Sequence, residues 1–270
     1  MRRLMFIGPV ALLLLALGSP VAAAGTAQVR VLHASPDAPA VDVYLDGAKV
    51  GAPLASLAFG DLSGYVPVPA GTHAVKVCTA ADASVCPIDV PSISFAAGKK
   101  YTIAATNALE SIEAKVLDDV TSVDTARARV RVVHFSADTP AVDVLTQDSS
   151  GKVVENLAYP NATDYLSLAP GSYDLKVCAA ADNAVCPLDP GALQLQADHA
   201  YTVFAIGSLA GRTLTAVVGA DAAGLPVTAT IGMGGDAGRG LAPSTLLAVL
   251  AAGALAFAGT VRLVRDRARR

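Results

Sequence analysis

The chain has 270 residues, a formal net charge of −3 and no tryptophan. Seven of its 20 basic residues lie near the two ends, so residues 25–240 carry 13 basic and 22 acidic side chains, a net charge of −9. Nucleic-acid binding requires clustered Lys and Arg against the phosphates. The acidic central region, which has no basic stripe, therefore argues against a nucleic-acid partner.

The first 24 residues have the pattern of a secretory signal peptide. Arg2 and Arg3 precede an apolar run from Leu4 to Leu17, and small residues end the segment at Ala24. This order predicts export with cleavage after Ala24. The apolar run is short for the roughly 20 residues that span a membrane, which disfavours an uncleaved anchor.

The region after the signal peptide is duplicated. VRVLHASPDAPAVDV at 29–43 matches VRVVHFSADTPAVDV at 130–144 at eleven of fifteen positions. Further pairs of segments match as far as YTIAATN (101–107) and YTVFAIG (201–207). We therefore expect two domains of about 100 residues, each large enough for its own hydrophobic core.

The repeated segments read as short strands, rich in Val, Ile, Tyr and Thr and separated by turn residues. Apolar and polar residues alternate strictly in VRVLH and HAVKVC, which is typical of half-buried strands. About seven such strands per repeat predict an all-β fold of two tandem antiparallel β-sandwich domains with immunoglobulin-like architecture. Pro69-Ala70-Gly71 and Ala169-Pro170-Gly171 are expected to form hairpin turns.

These residues carry a family resemblance. VRVLHASPDAPAVDVYLDG, the Pro-Ala-Gly turn and the closing YT strand resemble a bacterial domain-of-unknown-function family, the one numbered 4397. Both copies are similar to it over most of their length, the second less closely because LTQD at 145–148 replaces YLDG at 44–47. The resemblance implies exported β-rich domains, often in tandem, and implies no catalytic residue.

Each repeat contains two cysteines eight positions apart. The predicted compartment is oxidising and the number of cysteines is even, so we expect one disulfide in each repeat. A metal site would need further Cys or His ligands nearby, and the spacing differs from the Cys-x-x-Cys of redox catalysts. The predicted pairs are Cys78 with Cys86 and Cys178 with Cys186.

The opening motif of each repeat contains residue types used in acid–base and nucleophilic chemistry, near a strand end where loops carry function. The candidate residues are His33, Ser35, Asp37 and Asp42, with His134, Ser136, Asp138 and Asp143 in the second copy. Asp37, Asp42 and Asp46 offer oxygens to Ca²⁺, but their spacing fits no calcium loop, and Gln147 replaces Asp46 in the second copy. A hydrolase and a metal-binding envelope protein are therefore kept as alternatives.

A structural role accounts for more of the motif. Val29, Val31 and His33 should share the core-facing side of one strand, with the His bonded to backbone groups of the next turn. Ser35 and Asp37 are common turn formers, because their side chains bond to nearby backbone. We therefore predict no catalytic residue, no cofactor and no metal.

Asp42 alternates with Val41 and Val43 along its strand, so its side chain should point to the opposite face of the strand, which we expect to be exposed to solvent. There it would pair with Arg30, as Asp143 would with Arg131, and an exposed pair contributes only about 0–1 kcal/mol to stability.

Residues 220–240 are rich in Gly and lack hydrophobic periodicity, which predicts a flexible stalk. The segment Leu225, Pro226, Val227, Thr228 and Ala229 resembles the Leu-Pro-x-Thr-Gly motif of a Gram-positive sortase sorting signal, with Ala in place of the final Gly. The resemblance implies cleavage after Thr228 and attachment to the cell wall. A retained membrane anchor is the preferred interpretation.

Residues 241–261 contain no charged side chain and are long enough, as a helix, to cross the ~30 Å hydrocarbon core. Five arginines follow within 262–270, which predicts a cytoplasmic C-terminus and an ectodomain outside. The predicted parts are a signal peptide (1–24), a first sandwich (25–118), a linker (119–128), a second sandwich (129–219), a stalk (220–240), a transmembrane helix (241–261) and a basic tail (262–270).

Together these features predict an exported, membrane-anchored cell-surface protein of tandem modules. Its expected role is non-catalytic display, adhesion or binding, with a cell-wall component, a glycan or another protein as the ligand.

Overall fold

The computed structural model describes residues 25–223, in which the regular structure is β-strand apart from one 3-10 turn. The predicted all-β fold is confirmed for this part of the chain. The signal peptide, the sorting motif, the transmembrane helix and the basic tail lie outside the described residues. No helix within residues 25–223 is long and apolar enough to cross a membrane.

Eight strands are described in each repeat. In the first they are β1 (Thr26–His33), β2 (Val41–Leu45), β3 (Ala48–Lys49), β4 (Val66–Pro69), β5 (Gly71–Thr79), β6 (Ile88–Phe95), β7 (Lys100–Thr106) and β8 (Glu113–Asp119), with the 3-10 helix η1 (Leu109–Ser111) before β8. In the second they are β9 (Ala128–Phe135), β10 (Val142–Thr146), β11 (Lys152–Leu157), β12 (Leu166–Leu168), β13 (Gly171–Ala179), β14 (Leu188–Leu195), β15 (His199–Ile206) and β16 (Thr215–Ala223).

The strands of each repeat form two four-stranded sheets. The first repeat has the orders β4-β1-β7-β8 and β3-β2-β5-β6, and the second has β12-β9-β15-β16 and β11-β10-β13-β14. We call the first sheet of each pair the inner sheet and the second the outer sheet. Neighbouring strands are antiparallel except β1 with β7 and β9 with β15, which are parallel. The antiparallel prediction therefore holds for the outer sheets, whereas the inner sheets are mixed.

Pro69-Ala70-Gly71 and Ala169-Pro170-Gly171 are not hairpin turns, contrary to the prediction. β4 pairs with β1 in the inner sheet, while β5 pairs with β2 and β6 in the outer sheet, so the chain changes sheets at Ala70. Gly71 has φ +143° and Gly171 has φ +150°, a region that a residue without a Cβ enters readily. Glycine thus permits the corner between the two sheets.

An apolar core lies between the two sheets of each repeat. In the first repeat, Val31 of β1 and Ile103 of β7 pack with Val43 and Val77 of the outer sheet. The second repeat has the same kind of cluster, which includes Val132 and Val144. These residues occupy the apolar positions of the alternating pattern. The pattern therefore correctly predicted which side of each strand faces the core.

A second buried cluster lies between the two repeats. It contains Leu32 and Ala104 from the first inner sheet and Phe135, Phe204 and Ile206 from the second. The inner sheets are therefore covered on both faces, as sheets with buried central strands are. The face of β1 that points away from the outer sheet of its own repeat, which alternation assigns to solvent, is therefore buried against the other repeat.

The second repeat extends beyond its predicted end. β16 continues to Ala223, whereas the sequence placed the boundary at 219 and the start of the stalk at 220. The reason is structural: Ala222 and Asp221 are buried, and Ala223 still pairs with His199 of β15.

Candidate functional site

The His of each opening motif is buried at the end of its strand. Nε2 of His33 lies 3.0 Å from the carbonyl oxygen of Pro39, and Nε2 of His134 lies 3.2 Å from that of Pro140. In the second repeat the backbone N–H of Ser136 donates to Nδ1 of His134 at 3.3 Å. An acceptor at Nε2 and a donor at Nδ1 select the neutral ring protonated at Nε2. Burial also lowers the pKa of His134.

The Ser and the first Asp of the motif join two loops. Ser35 Oγ donates to Asp37 Oδ1 at 3.4 Å, and the backbone N–H of Leu109 donates to the same carboxylate at 2.8 Å. Leu109 begins the 3-10 turn after β7. Asp37 therefore ties the turn after β1 to the turn after β7, two strands that run side by side.

Asp138 makes the same connection in the second repeat with more bonds. It accepts Ser208 Oγ at 2.6 Å, the N–H of Leu209 at 2.9 Å, the N–H of Ala210 at 3.0 Å and Ser136 Oγ at 3.3 Å. Burial raises the pKa of Asp138, but the bonds from Ser208, Ala210 and Leu209 outweigh burial and leave the pKa below its usual value. The carboxylate is thus held ionised by the loop that it anchors.

The motif lacks the bond that activates a nucleophile. In both repeats the Ser hydroxyl donates to a carboxylate, while the His bonds to a proline carbonyl. A serine nucleophile needs its hydroxyl bonded to a base that a third group orients. Among the described residues no hydrogen bond joins the hydroxyl of Ser35 to His33 or that of Ser136 to His134. The geometry therefore favours a structural corner built twice.

The prediction that the second Asp of the motif faces solvent is wrong. Asp42 is 3% exposed and Asp143 is 1% exposed. Asp42 accepts Lys49 Nζ at 2.6 Å and the backbone N–H of Ser56 at 2.9 Å, and the bond from Lys49 lowers its pKa despite burial. The predicted pair with Arg30 is also wrong, because Asp42 lies in the outer sheet and Arg30 in the inner sheet.

Arg30 and Arg131 instead join the two repeats. The guanidinium of Arg30 donates to the carboxylate of Asp221 and, at 3.2 Å, to the carbonyl oxygen of Ala220. Its counterpart Arg131 donates to the carboxylate of Asp119. Both arginines and both carboxylates are buried. Each repeat thus supplies one Arg and one Asp to a reciprocal pair of interactions that sequence reasoning missed.

Hydroxyl groups hold these carboxylates in place. Asp119 Oδ2 accepts Thr102 Oγ1 at 2.5 Å and the Tyr65 hydroxyl at 2.7 Å. The equivalent bonds to Asp221 come from Thr202 at 2.6 Å and Tyr165 at 2.7 Å. Each Arg also lies over the ring of its own repeat's Tyr, at 4.7 Å for Arg30 and 4.8 Å for Arg131. Burial raises the pKa of both tyrosines, which keeps them hydrogen-bond donors.

Both predicted disulfides are present, Cys78–Cys86 and Cys178–Cys186, and the described residues contain no free cysteine. Each closes the loop between two antiparallel neighbours, β5 and β6 or β13 and β14. In the chain-entropy treatment, closing so short a loop stabilises a domain by about 2–3 kcal/mol.

Residues 25–223 contain no cluster of three or more His, Cys, Asp or Glu side chains that could hold a metal ion. The carboxylates that the sequence offered to Ca²⁺ have protein partners: Leu109 for Asp37, Lys49 for Asp42, and His73 for Asp46.

His73 connects two turns of the first repeat. Its Nδ1 lies 2.7 Å from Asp46 Oδ2, and its Nε2 lies 2.8 Å from the carbonyl oxygen of Pro69. Both neighbours are acceptors, so the imidazolium form satisfies both. The hydrogen bond between the two side chains raises the pKa of His73 and lowers that of Asp46. In the second repeat, Tyr173 donates to Ala169 O at 3.0 Å in the same place.

We expect the stability that His73 provides to decrease as pH rises. Because its folded-state pKa lies above the usual value of about 6.5, the contribution is complete below that value and is lost as pH rises through the folded pKa. The lowered pKa of Asp46 sets the other limit: its contribution is present above the usual Asp value and is lost as pH falls through the folded pKa.

Melting temperatures between about pH 5 and pH 8, compared for the wild type and His73→Tyr, test this expectation. The variant places at position 73 the residue that the second repeat has at Tyr173. The difference in melting temperature between the wild type and the variant should shrink as pH rises. The lowered pKa of His134 acts in the opposite direction but is common to both proteins, so it cancels in the difference. A difference that does not change with pH would contradict the assignment.

An open cleft of about 300 Å³ lies beside Asp143 in the second repeat. Its lining includes Pro140 and Ala141 of the motif loop together with Lys152 and Glu155 of β11. The cleft therefore borders the motif without containing its His or Ser.

The sequence model of the family described as Domain of unknown function (DUF4397) matches the chain twice, over residues 27–145 and 128–231. This double match confirms the predicted tandem copies. A search of curated proteins found no match.

Proposed function

We propose, from the premise that the chain belongs to the DUF4397 family, that it is an exported, membrane-anchored surface protein whose tandem modules act without catalysis. Its role is display, adhesion or ligand binding on the outer side of the membrane. The family description assigns no activity, so the proposal depends on the residues of this chain.

Export and anchoring are supported by the two ends of the sequence. Residues 1–24 have the order of a signal peptide, residues 241–261 are uncharged, and five arginines follow them. The two disulfides agree with this location, because such bonds persist in oxidising compartments. The paired sheets of each repeat support the immunoglobulin-like sandwich architecture, which many cell-surface domains share.

The main support for a non-catalytic role is that the motif's polar side chains form hydrogen bonds to nearby loops of the protein itself. His33 and His134 bond to proline carbonyls, and Asp37 and Asp138 bond to the loops after β7 and β15. Duplication gives two copies of this corner, in which the bond from His to a proline carbonyl and the bonds from Asp to the neighbouring loop recur.

The strand directions indicate which end would face outward. Gln28 of β1 lies opposite Lys100 at the start of β7, and Lys100 Nζ donates to the carbonyl oxygen of Asp221 near the end of β16. The first and last described strands therefore begin and end at the same end of the ectodomain. The loops that follow His33 and Phe135 lie at the opposite end, so an anchor after Ala223 would leave the motif loops distal to the membrane.

We expect His33→Ala and His134→Ala each to reduce the free energy of unfolding by about 1–3 kcal/mol, because each removes a buried side chain together with its hydrogen bond to a proline carbonyl. Neither the wild type nor a variant should turn over ester, glycan or peptide substrates. Denaturant unfolding and a substrate panel measure the two quantities on the same preparations.

His199→Ala is the matched control, since His199 is only partly buried and bonds locally to Ala197 O. It should cost less stability than either motif variant. Turnover by the wild type that disappears in His33→Ala while the fold stays intact would overturn the proposal in favour of a hydrolase.

A further inference from the structure

The cleft in the second repeat is lined by small residues and by polar side chains. Its lining includes the small residues Ala141 and Ala180 and the polar residues Asp143, Lys152 and Glu155. Lys152 and Glu155 belong to β11, which is the edge strand of its sheet and is paired only with β10.

The polar groups of the cleft are held in position before any ligand arrives. Asp143 accepts the backbone N–H of Asn156 at 2.8 Å and Lys152 Nζ at 2.7 Å. With its side-chain amide nitrogen facing Asp143, Asn183 donates to Asp143 Oδ2 at 2.9 Å. Lys152 Nζ also lies 3.3 Å from Glu155 Oε1. Such bonds reduce the ordering cost that binding would otherwise carry.

Comparison of the two repeats separates fold residues from cleft residues. The Asp143–Lys152 pair has its counterpart in Asp42–Lys49, so this pair belongs to the shared fold. The residues Glu155, Asn156 and Asn183 correspond to Ala55, Ser56 and Ala83 in the first repeat. The second repeat thus has longer polar side chains at two positions that line the cleft, Glu155 and Asn156, and at Asn183, which bonds to the lining residue Asp143.

The charges and the hydrogen-bond donors and acceptors that line the cleft favour one class of ligand. Two carboxylates and one ammonium give the lining a net negative charge, which disfavours phosphate and carboxylate ligands. Lys152 supplies donors, Glu155 supplies acceptors, and the Asn156 amide supplies both. Hydroxyl groups both donate and accept, so adjacent hydroxyls of a sugar match this mixture. The volume of about 300 Å³ is at the small end of ligand pockets.

We propose that this cleft binds a neutral saccharide, one or two sugar units of a surface glycan. The inference rests on the proposed function, since it names the ligand class of a non-catalytic surface module. Glu155, which is 74% exposed, meets the sugar hydroxyls from the edge strand, while Asp143, which also accepts from Asn183, positions Lys152.

Saturation-transfer-difference NMR on the full chain, purified in a detergent without a sugar headgroup, tests the inference, with phosphorus NMR used for phosphate because that ion has no carbon-bound proton. The probes are tri-N-acetylchitotriose and maltotriose as neutral saccharides, and inorganic phosphate and trilysine as charged ligands. We expect at least one neutral saccharide to bind, and Glu155→Ala to weaken that binding by about 2–10-fold, as expected for one lost hydrogen bond. The variant places at 155 the residue that the first repeat has at Ala55.

Glu110→Ala is the matched control, because Glu110 is an exposed glutamate in η1 of the first repeat. It should leave saccharide binding unchanged. Absence of binding by both saccharides, equal loss in both variants, or binding of phosphate or trilysine in their place would overturn the saccharide assignment. None of these results produces turnover, so the non-catalytic function would stand or fall separately on the substrate panel.

Discussion

Asp221→Ala is expected to reduce the free energy of unfolding by about 3–5 kcal/mol, the cost of leaving a buried charge without its partner. The guanidinium of Arg30 loses the carboxylate that faces it across the two repeats, and the hydroxyls of Tyr165 and Thr202 lose their acceptor. Denaturant unfolding followed by circular dichroism measures the change. The loss should affect one cooperative transition for the whole ectodomain, because the pair belongs to both repeats.

Asp89→Ala is the control for this prediction. Asp89 pairs with Lys76 at 2.8 Å, but both side chains are about half exposed, so we expect a change of only about 0–1 kcal/mol. Arg30→Met combined with Asp221→Ala should cost less than the sum of the single variants, because the double variant leaves no unpaired charge. Two separate transitions, with only the second repeat affected by Asp221→Ala, would contradict the shared network.

Phe204→Ala is expected to destabilise the ectodomain by about 3–5 kcal/mol, because it removes a fully buried aromatic side chain and leaves a cavity. Phe204 stacks on Phe135 with ring centroids 6.3 Å apart and lies in the cluster between the inner sheets. The cluster includes Leu32 of the first repeat, so the cavity should weaken the contact between repeats as well as the second repeat itself. Thermal and denaturant unfolding measure the loss.

Val218→Ala is the matched control on the neighbouring strand. Val218 pairs with Val203 across β15 and β16 but is 45% exposed, and we expect a change within about 0.5 kcal/mol. A cost as small for Phe204→Ala would show that the cluster between the repeats adds little to stability.

The two expectations describe repeats that depend on each other. The described residues of the two repeats belong to one compact unit, rather than dividing between the two copies. Duplication made this possible, because one face of each inner sheet can pack on the same face of the other copy. Arg30 and Asp119 in the first repeat then meet Asp221 and Arg131 in the second.

The network left a weak signal in the sequence. Arg30 and Arg131, Tyr65 and Tyr165, and Thr102 and Thr202 recur at matching places in the two copies. The two carboxylates, Asp119 and Asp221, lie 102 positions apart rather than 100, because the connection between β15 and β16 is two residues longer than that between β7 and β8. Recurrence alone could not distinguish a contact between repeats from a pair on the surface of each repeat.

The sequence by itself determined the properties that depend on local patterns. Alternating valines predicted the strands and the side that faces the core, and the cysteine spacing predicted Cys78–Cys86 and Cys178–Cys186. The duplication predicted two copies of one unit, and the motif histidines were correctly placed in the core. These features depend on the identity and spacing of residues along the chain, and the sequence gives both directly.

Only the tertiary structure decided what covers the second face of each strand. Parity assigns Arg30 and Asp42 to the side away from the core, yet both are buried, one by the other repeat and one by Lys49 and the loop at Ser56. The physical reason is that alternation reports which side chains share a face, whereas burial depends on whether another layer packs there. That layer comes from a segment about 190 positions away for Arg30, at a distance no local pattern records.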